Sequence, residues 1–558
     1  MVGATSFESE EIRLVSRESD IHLQVSENED TILTGYKLVA VMVGLCCCVF
    51  CTSLDNTIIA TTVPKIAAQF HSLGDIGWYA SSYLLTTCAV TLTFGRIYTF
   101  YSVKWVYLSA LFIFELGSLL CGIAPSSVGL IIGRAVAGLG GGGLFSGSLV
   151  IIAQCVPRHR RPAFSGLIMG MFAVASIIAP LLGGAFTDHL TWRWCFFINL
   201  PFGAVTAVTV FFTFQSTKPI VQATRREKLR GLDPLGTLFF LPAIVCLLLA
   251  LQWGGSMYAW GDARIIGLFV VFGVLFLCFI ALQFHTGEKA TLPPRLLRSR
   301  NIWGSALFTF CVNSVMFIFV YYVIHSSARK VVLLLTKSQL PIWFQAVKGA
   351  SATKSGIMNL PLVLSNVLIV MVSGVLVTVA GYYGPFMLLS AAMMCISAGL
   401  LTTFDPTASP AKWIGYQLFL GIAIGTGFQL PIFVVQTTLP TADIPTATAL
   451  MTFTPLLGGS VFVSVAQNLF QNQLMAGLKD ELPGLDATAV LATGPTELRD
   501  KYQDDTLQTL LGVYNEAVVT TFYTAVGLAA ASFLGAAVIE WRPLKKTDEK
   551  ERDGEGGK

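Results

Sequence analysis

Charge is scarce in this sequence. Asp, Glu, Lys and Arg make up 12% of its 558 residues, where a soluble domain carries about a quarter. They crowd into short segments between long uncharged stretches, which excludes a soluble multidomain enzyme. Histidine is rarer still, with six in all. None falls deep in an apolar stretch, so no metal centre is expected. The 12 cysteines lie mostly inside such stretches, with Cys46, Cys47, Cys48 and Cys51 in one of them. Neighbours on a helix point in different directions, so these thiols build no disulfide framework and serve as small apolar groups. The start of the chain is polar and acidic (Glu8, Glu10, Glu11, Asp20, Glu27, Glu29, Asp30) and lacks the apolar run of a cleavable leader. Residues 1–36 therefore read as a disordered tail. No Gly-Lys-Ser/Thr phosphate loop occurs, and with it goes any ATP-driven pump; no cofactor is expected. The net charge of +4 is spread over many loops; it builds no continuous basic face, so no nucleic-acid partner is expected.

What is present is apolar length. Hydrophobic residues make up 54% of the chain and the mean hydropathy is +0.69. Past Lys37 the sequence breaks into fourteen runs of roughly 18 to 26 residues, each able to cross about 30 Å of hydrocarbon as a helix. They begin near Leu38, Gly77, Trp105, Gly129, Ala163, Cys195, Pro234, Ile265, Trp303, Gly356, Gly384, Trp413, Thr446 and Ala517. Lys and Arg cluster in every second connection of the first eight: Arg96 and Lys104, then Arg158, Arg160 and Arg161, then Lys218 to Arg230, then Lys289 to Arg300. The alternate connections hold only Lys65, Arg193 and Arg264. By the positive-inside rule both termini face the cytoplasm. The expected architecture is an all-α integral membrane protein with a 6+2+6 arrangement. A six-helix half spans 37–215, a basic loop with two additional helices 216–302, a second six-helix half 303–541, and a charged tail 542–558. The polar stretch from Gln471 to Glu516 reads as a connection on the outer side. Similar halves point to a pseudo-symmetric carrier.

Only three ionisable residues sit deep in the runs: Asp55, Glu115 and Arg134. Such groups cost a few kcal/mol or more in hydrocarbon and persist for a reason. At about 1.5 Å per residue, Asp55 lies roughly 25 Å up the first run and Arg134 a turn or two below the outer end of the fourth, so their heights match. Burial favours the neutral acid and a paired guanidinium favours the carboxylate, so the pair can respond to a proton by changing helix contacts. Pinning two helices together is the plainer role. Glu115, near the middle of the third run, reads as a hydrogen-bonded structural residue. The second half holds no comparable charge, so any proton site belongs to the first. Gly138, Gly141 and Gly142 follow Arg134 on one face, while Gly166, Gly170, Pro180, Gly183 and Gly184 mark the fifth run as a closely packed, bendable helix.

These segments, in this order, resemble the major facilitator superfamily, in its fourteen-span drug:proton antiporter branch of the form common in fungi. LDNTIIATTVP (Leu54 to Pro64) resembles that branch's first-span motif and RAVAGLGG (from Arg134) its fourth-span motif. APLLGGAFTDHLTWRWCFFINLP (Ala179 to Pro201) resembles the antiporter motif of the fifth span, with Ala179 in place of the usual Gly. GRIYTFYSVKW (Gly95 to Trp105) occupies the superfamily's signature loop. It keeps Gly95 and Lys104 but has Thr99 and Ser102 where the pattern has Asp and Gly. GYYGPF from Gly381, GTGFQLPIF from Gly425 and LLGGSVFVSVAQN from Leu456 fit the second half, with Pro455 where relatives usually carry Gln. The resemblance implies outward, proton-exchanging transport of small amphipathic molecules, such as a drug, toxin or other secondary metabolite. It implies a monomer in the plasma membrane, or alternatively in the vacuolar membrane. It places Asp55 and Arg134 toward a central cavity and Glu115 at the periphery. Asn313, Asn366, Gln429 and Gln436 could hydrogen-bond a solute there, or each other's helices. An uptake or vacuolar carrier for amino acids or iron chelates shares the fold, and a nontransporting receptor is the rival of another class.

One stretch departs from the family. Tyr321 and Tyr322 are separated from Leu340 by VIHSSARKVVLLLTKSQ, Val323 to Gln339, and its removal restores YYLPIWFQAVKG. It would put Arg329, Lys330 and Lys337 at the outer end of the ninth run, against the charge rule. It reads as a retained intron, with a family-specific outer loop as the alternative.

Overall fold

The computed structural model describes residues 33–541 except 73–74, 216–218, 220, 222–223, 256–257, 321–338, 351, 484, 486–489, 491–497 and 499–501. The inserted segment Val323 to Gln339 thus lies outside the described residues, apart from Gln339, the first residue of a short helix Gln339–Ala346.

The described residues contain no strand and fourteen long helices. We number them α1 (Gly35–Phe70), α2 (Ile76–Phe100), α3 (Val103–Ile123), α4 (Ser127–Cys155), α5 (Arg161–His189), α6 (Trp194–Thr213), α7 (Pro234–Trp253), α8 (Ala263–Thr286), α9 (Arg300–Val320), α10 (Leu360–Ala380), α11 (Gly384–Leu401), α12 (Pro410–Thr438), α13 (Ile444–Glu481) and α14 (Asp504–Val538). Twelve are long and apolar enough to cross a membrane; α2 and α5, at 25 and 29 residues, have the length. The run from Ala263 to Lys289 makes the membrane argument by itself. Its most apolar stretch is only 11% buried, and Ile266, Val270, Val274, Leu277 and Phe284 stand exposed along it. No aqueous protein leaves such a helix bare, so its solvent is lipid.

Most helices begin within a few residues of the apolar runs, but α14 starts well before Ala517 and α13 runs on to Glu481. Helix consumes both ends of the stretch expected as an outer connection. Hydropathy falls where a helix leaves hydrocarbon, while its backbone hydrogen bonds continue unaffected. Phe470, Leu474 and Leu478 recur at four-residue spacing and pack with Leu510, Val513, Tyr514 and Ala517, so this pair of helices stays zipped beyond the span.

Described parts of three basic connections meet at one end of the bundle, where Arg96 donates to Gly231 O and Glu288 O. There Asp233, at φ 49°, ties α7 and α8 together. It accepts hydrogen bonds from the Gly236 N–H at the start of α7 (2.9 Å), from Gln283 Nε2 of α8 (2.8 Å), and from the N–H and hydroxyl of Thr291 (both 2.9 Å). A carboxylate bond of this kind is worth about 1.5–3 kcal/mol, and a left-handed backbone disfavours Ala more than Asn. Asp233→Ala is therefore expected to lower the thermal unfolding temperature of the detergent-solubilised protein by more than Asp233→Asn does. Equal losses would discount the cap.

α1 to α6 pack on one another, as do α9 to α14, and α7 lies against both groups through α2 and α13. The groups meet where α2 packs on α13 and α5 on α10. The second helix of one thus meets the fifth of the other, in both senses, as a pseudo-two-fold axis requires. Five apolar clusters form among the described residues, and only one joins the groups. It brings Cys88, Leu92, Leu149 and Met169 against Val370, Ile432, Val435, Ala447 and Leu450. Most of these residues lie in the parts of their helices nearest the basic end.

Candidate coupling site

Asp55 and Arg134 form an ion pair with Nη1–Oδ2 at 2.5 Å, and neither side chain has any exposure. α1 carries the carboxylate and α4 the guanidinium. Glycine in α4 lets α2 come close beside the pair, since a Cβ at Gly138 would overlap Tyr83 O and Thr86 Oγ1 of α2. Arg134 Nε donates to Tyr79 O at 2.8 Å and Nη1 also to the Asp55 carbonyl at 3.3 Å, while the Tyr83 ring lies 4.5 Å beneath the guanidinium. On the other side, Asn199 Nδ2 of α6 donates to Asp55 Oδ1 at 3.3 Å and to Ser118 Oγ of α3 at 3.1 Å. The pair is thus held by α1, α2, α4 and α6 together.

Tyr79, Tyr83 and Asn199 are partners that sequence reasoning missed. Asn199 was visible as a lone amide in the apolar run CFFINLP; the tyrosines are masked by the general aromatic content of the spans.

Glu115 departs from its expected hydrogen-bonded role. Both carboxylate oxygens are buried and neither has a hydrogen-bond partner among the described residues. Gly203 of α6 lies so close that a Cβ there would overlap the carboxylate.

Of the signature-loop residues, Gly95 and Thr99 sit at the junction of the groups. A Cβ on Gly95 would lie 2.6 Å from Ala449 Cβ and 3.1 Å from Pro445 O. Lys104 Nζ donates to Phe211 O of α6 at 2.6 Å, so it braces its own group and does not reach across. Arg96 donates to the carbonyls of Gly231 (3.0 Å) and Glu288 (3.3 Å). Across the junction run Thr99 Oγ1···Thr446 Oγ1 at 3.4 Å and Arg161 Nη1 to Gln436 O at 3.3 Å.

In α5 the close packing expected at Gly184 is not found among the described residues, none of which lies within 4 Å of a Cβ there. Gly183 accepts from the Thr187 hydroxyl, and α5 continues helical through Pro180. The tight approach falls at the basic end of the helix, where a Cβ on Gly374 of α10 would stand 2.6 Å from Pro162 O and one on Gly170 would overlap Met371.

The four amides expected to face a cavity divide. Asn313 Nδ2 donates to Thr309 O in its own helix at 3.0 Å. Gln436 Nε2 donates to Leu149 O across the junction at 3.4 Å, which places it in the closure. Gln429 Nε2 donates to Val370 O at 3.3 Å, and Asn366 Nδ2 touches Met316 Sδ at 3.9 Å. Among the described residues the side-chain oxygens of Asn366, Gln429 and Gln436 have no hydrogen-bond partner; those of Asn366 and Gln429 remain able to accept from a solute.

Two pseudo-symmetric helical groups in lipid, a closed junction at one end and a sealed ion pair within one group define a membrane transporter. Among the described residues no cluster of metal-binding side chains accompanies them. The chain belongs to the Major Facilitator Superfamily, whose profile matches residues 45–463. It is similar to the efflux pump bfoC of Aspergillus brasiliensis, with 68% identity over 520 residues, 93% of this chain and 90% of that protein. It is 67% identical over 531 residues to the efflux pump aunC of Aspergillus niger (95% and 91%), and 52% identical over 512 residues to the efflux pump roqT of Penicillium rubens (92% of each). Among solved structures, the fold is similar to the proton:xylose symporter XylE (TM-score 0.53, 14% identity, 89% of this chain and 95% of that one). It is also similar to the human organic anion transporter MFSD10 (TM-score 0.51, 13% identity, 89% and 100%). With relatives named as transporters and efflux pumps, the chain is a transporter and not an enzyme.

Proposed function

We propose that this protein is a proton-coupled exporter of amphipathic small molecules of the secondary-metabolite kind. It works as a monomer in the plasma membrane with both tails, 1–36 and 542–558, in the cytoplasm. The observation that carries the reading is the sealed Asp55–Arg134 pair, in a chain about two-thirds identical to named efflux pumps. A carboxylate kept ionised in hydrocarbon by one cation can be released only by protonation or by rearrangement, and each drives the other. Fourteen crossings in a 6+2+6 order suit the length of α2 and α5 and their packing among the twelve apolar helices. With the basic end cytoplasmic, the closed junction makes this the outward-facing state. The halves 37–215 and 303–541 then rock about a cavity toward which Asn366 and Gln429 present free acceptors. Each proton entering supplies about 2.3 kcal/mol per 100 mV and about 1.4 per pH unit, enough for a tenfold or larger solute gradient.

The test is substrate movement in sealed vesicles carrying the purified protein, with pH as the only gradient. The expected result is solute accumulation on the side from which protons leave. Accumulation on the other side identifies a symporter, and no response to pH removes proton coupling.

A further inference from the structure

We propose that Glu115 is a second proton-binding site of the first half, carrying a proton in the conformation described here and losing it to water when α3 and α6 part. The inference rests on the proton-coupled reading for its place in the cycle, but not for the proton itself. The carboxyl group is buried at both oxygens and has no hydrogen-bond partner among the described residues. The backbone of Gly203 lies against it, so no side chain at that position intervenes. An ionised carboxylate cannot be held in apolar surroundings without a counter-charge or donors, and the group neutralises instead.

The neighbouring charges agree. The titratable groups of α1 within electrostatic reach are Asp55, Cys48 and Cys51, none of them cationic. α4 brings Arg134, whose Nη1 is paired with Asp55, whose Nε is bonded to Tyr79 O and whose face lies on the ring of Tyr83 of α2; its Nη2 has no hydrogen-bond partner among the described residues and makes no bond to Glu115. From α6, Gly203 lies against the carboxyl group and Asn199 is bonded to the neighbouring Ser118; neither is charged. Two carboxyl groups served by one guanidinium do not both ionise, and the one without the cation keeps its proton.

Glu115 is also connected to the pair. Ser118 lies three residues further along α3 and so neighbours Glu115 on the helix surface. Asn199 donates to both Ser118 Oγ and Asp55 Oδ1. Movement of α6 away from α3 therefore disturbs both carboxyl environments at once. The step is a simple ionisation: the Glu115 O–H breaks, its electron pair stays on the carboxylate, and the proton passes to water. A carrier that uses both sites moves two protons per cycle from the same half.

Infrared difference spectroscopy of the full chain in lipid vesicles reads this without any transport. A carboxylic acid lacking hydrogen bonds absorbs at the high-frequency end of the C=O region. Such a band is expected in the native protein, is lost in Glu115→Gln and is retained in Asp55→Asn. Should the Gln variant fail to fold, Glu115→Asp must shift the band. A band that survives Glu115→Gln, or a native spectrum without one, overturns the site. The reversal pH gradient for flux gives the second readout: Glu115→Gln is expected to lower the proton:solute ratio by one. An unchanged ratio overturns the role in coupling. Loss of all pH response in the native protein overturns the exporter reading and leaves the infrared result standing.

Discussion

Asp55→Asn is expected to abolish proton-driven flux and to cost more thermal stability than Arg134→Gln, which abolishes the flux equally. The asymmetry follows from what each change strands. Without the carboxylate, a guanidinium that cannot give up its proton stays sealed among Tyr79 O, the residue-55 carbonyl and the Tyr83 ring. Without the guanidinium, Asp55 can take a proton and become neutral, and Asn199 still contacts it. Breaking a buried pair from one side costs about 3–5 kcal/mol; the larger figure belongs to Asp55→Asn. Asp55→Asn with Arg134→Gln removes both charges and is expected to regain most of the lost stability but none of the flux. Intrinsic tryptophan fluorescence on heating and solute flux after a pH step provide the two readouts. Flux with a native pH profile in Asp55→Asn would remove the pair from coupling. A double variant less stable than either single one would remove the electrostatic account.

A loop carboxylate supplies the control. Asp405, between α11 and α12, is held at about 2 by the Thr407 hydroxyl and by Lys412, whose Nζ lies 3.0 Å away. A depressed acid contributes stability above its unfolded value and loses it only as pH falls through its folded value. Asp405→Asn should therefore leave the flux profile between about pH 5 and 8 unchanged, because the group does not titrate in that range.

Much of this was legible in the residues. Charge in hydrocarbon is so costly that Asp55 and Arg134 stood out at once, and helix rise alone put them at one height. Gly95 was flagged by motif, and the structure gives the reason: it is where α2 meets α13. Other features were not legible because no periodicity encodes them. Whether Glu115 finds a donor depends on which face of α6 packs against it. Gln436 reads as a cavity amide like Gln429, yet it lies about two helical turns nearer the basic end and there bonds across the junction. The zipped extension of α13 and α14 was hidden because hydropathy reports the solvent around a helix and not its hydrogen bonding. Gly184 shows the converse, a motif glycine with no close neighbour among the described residues where close packing was expected.

Joining α2 to α13 is expected to arrest transport completely and reversibly. Thr99 and Thr446 face one another with hydroxyl oxygens 3.4 Å apart, so cysteines at both positions are placed to form a disulfide when the basic end is closed. Oxidation of the Thr99→Cys, Thr446→Cys double variant should stop flux and a reductant should restore it. The native protein, whose cysteines are all free, serves as the control under the same oxidant. Gly95→Val attacks the same junction from the other direction. Its side chain has no room, since even a Cβ would stand 2.6 Å from Ala449 Cβ and 3.1 Å from both Pro445 O and Thr446 Cα. Two of those three atoms are backbone and cannot turn aside, so the helices must separate. Each group keeps its own apolar clusters, and the variant is expected to fold and reach the membrane. It should nevertheless transport at least about tenfold more slowly, a bias of about 1.4 kcal/mol against closure. Added to the cysteine pair, it should also prevent the cross-link. If the disulfide forms and flux continues, this junction does not open during the cycle. If Gly95→Val cross-links as readily as its parent, the glycine is not what lets the two helices meet.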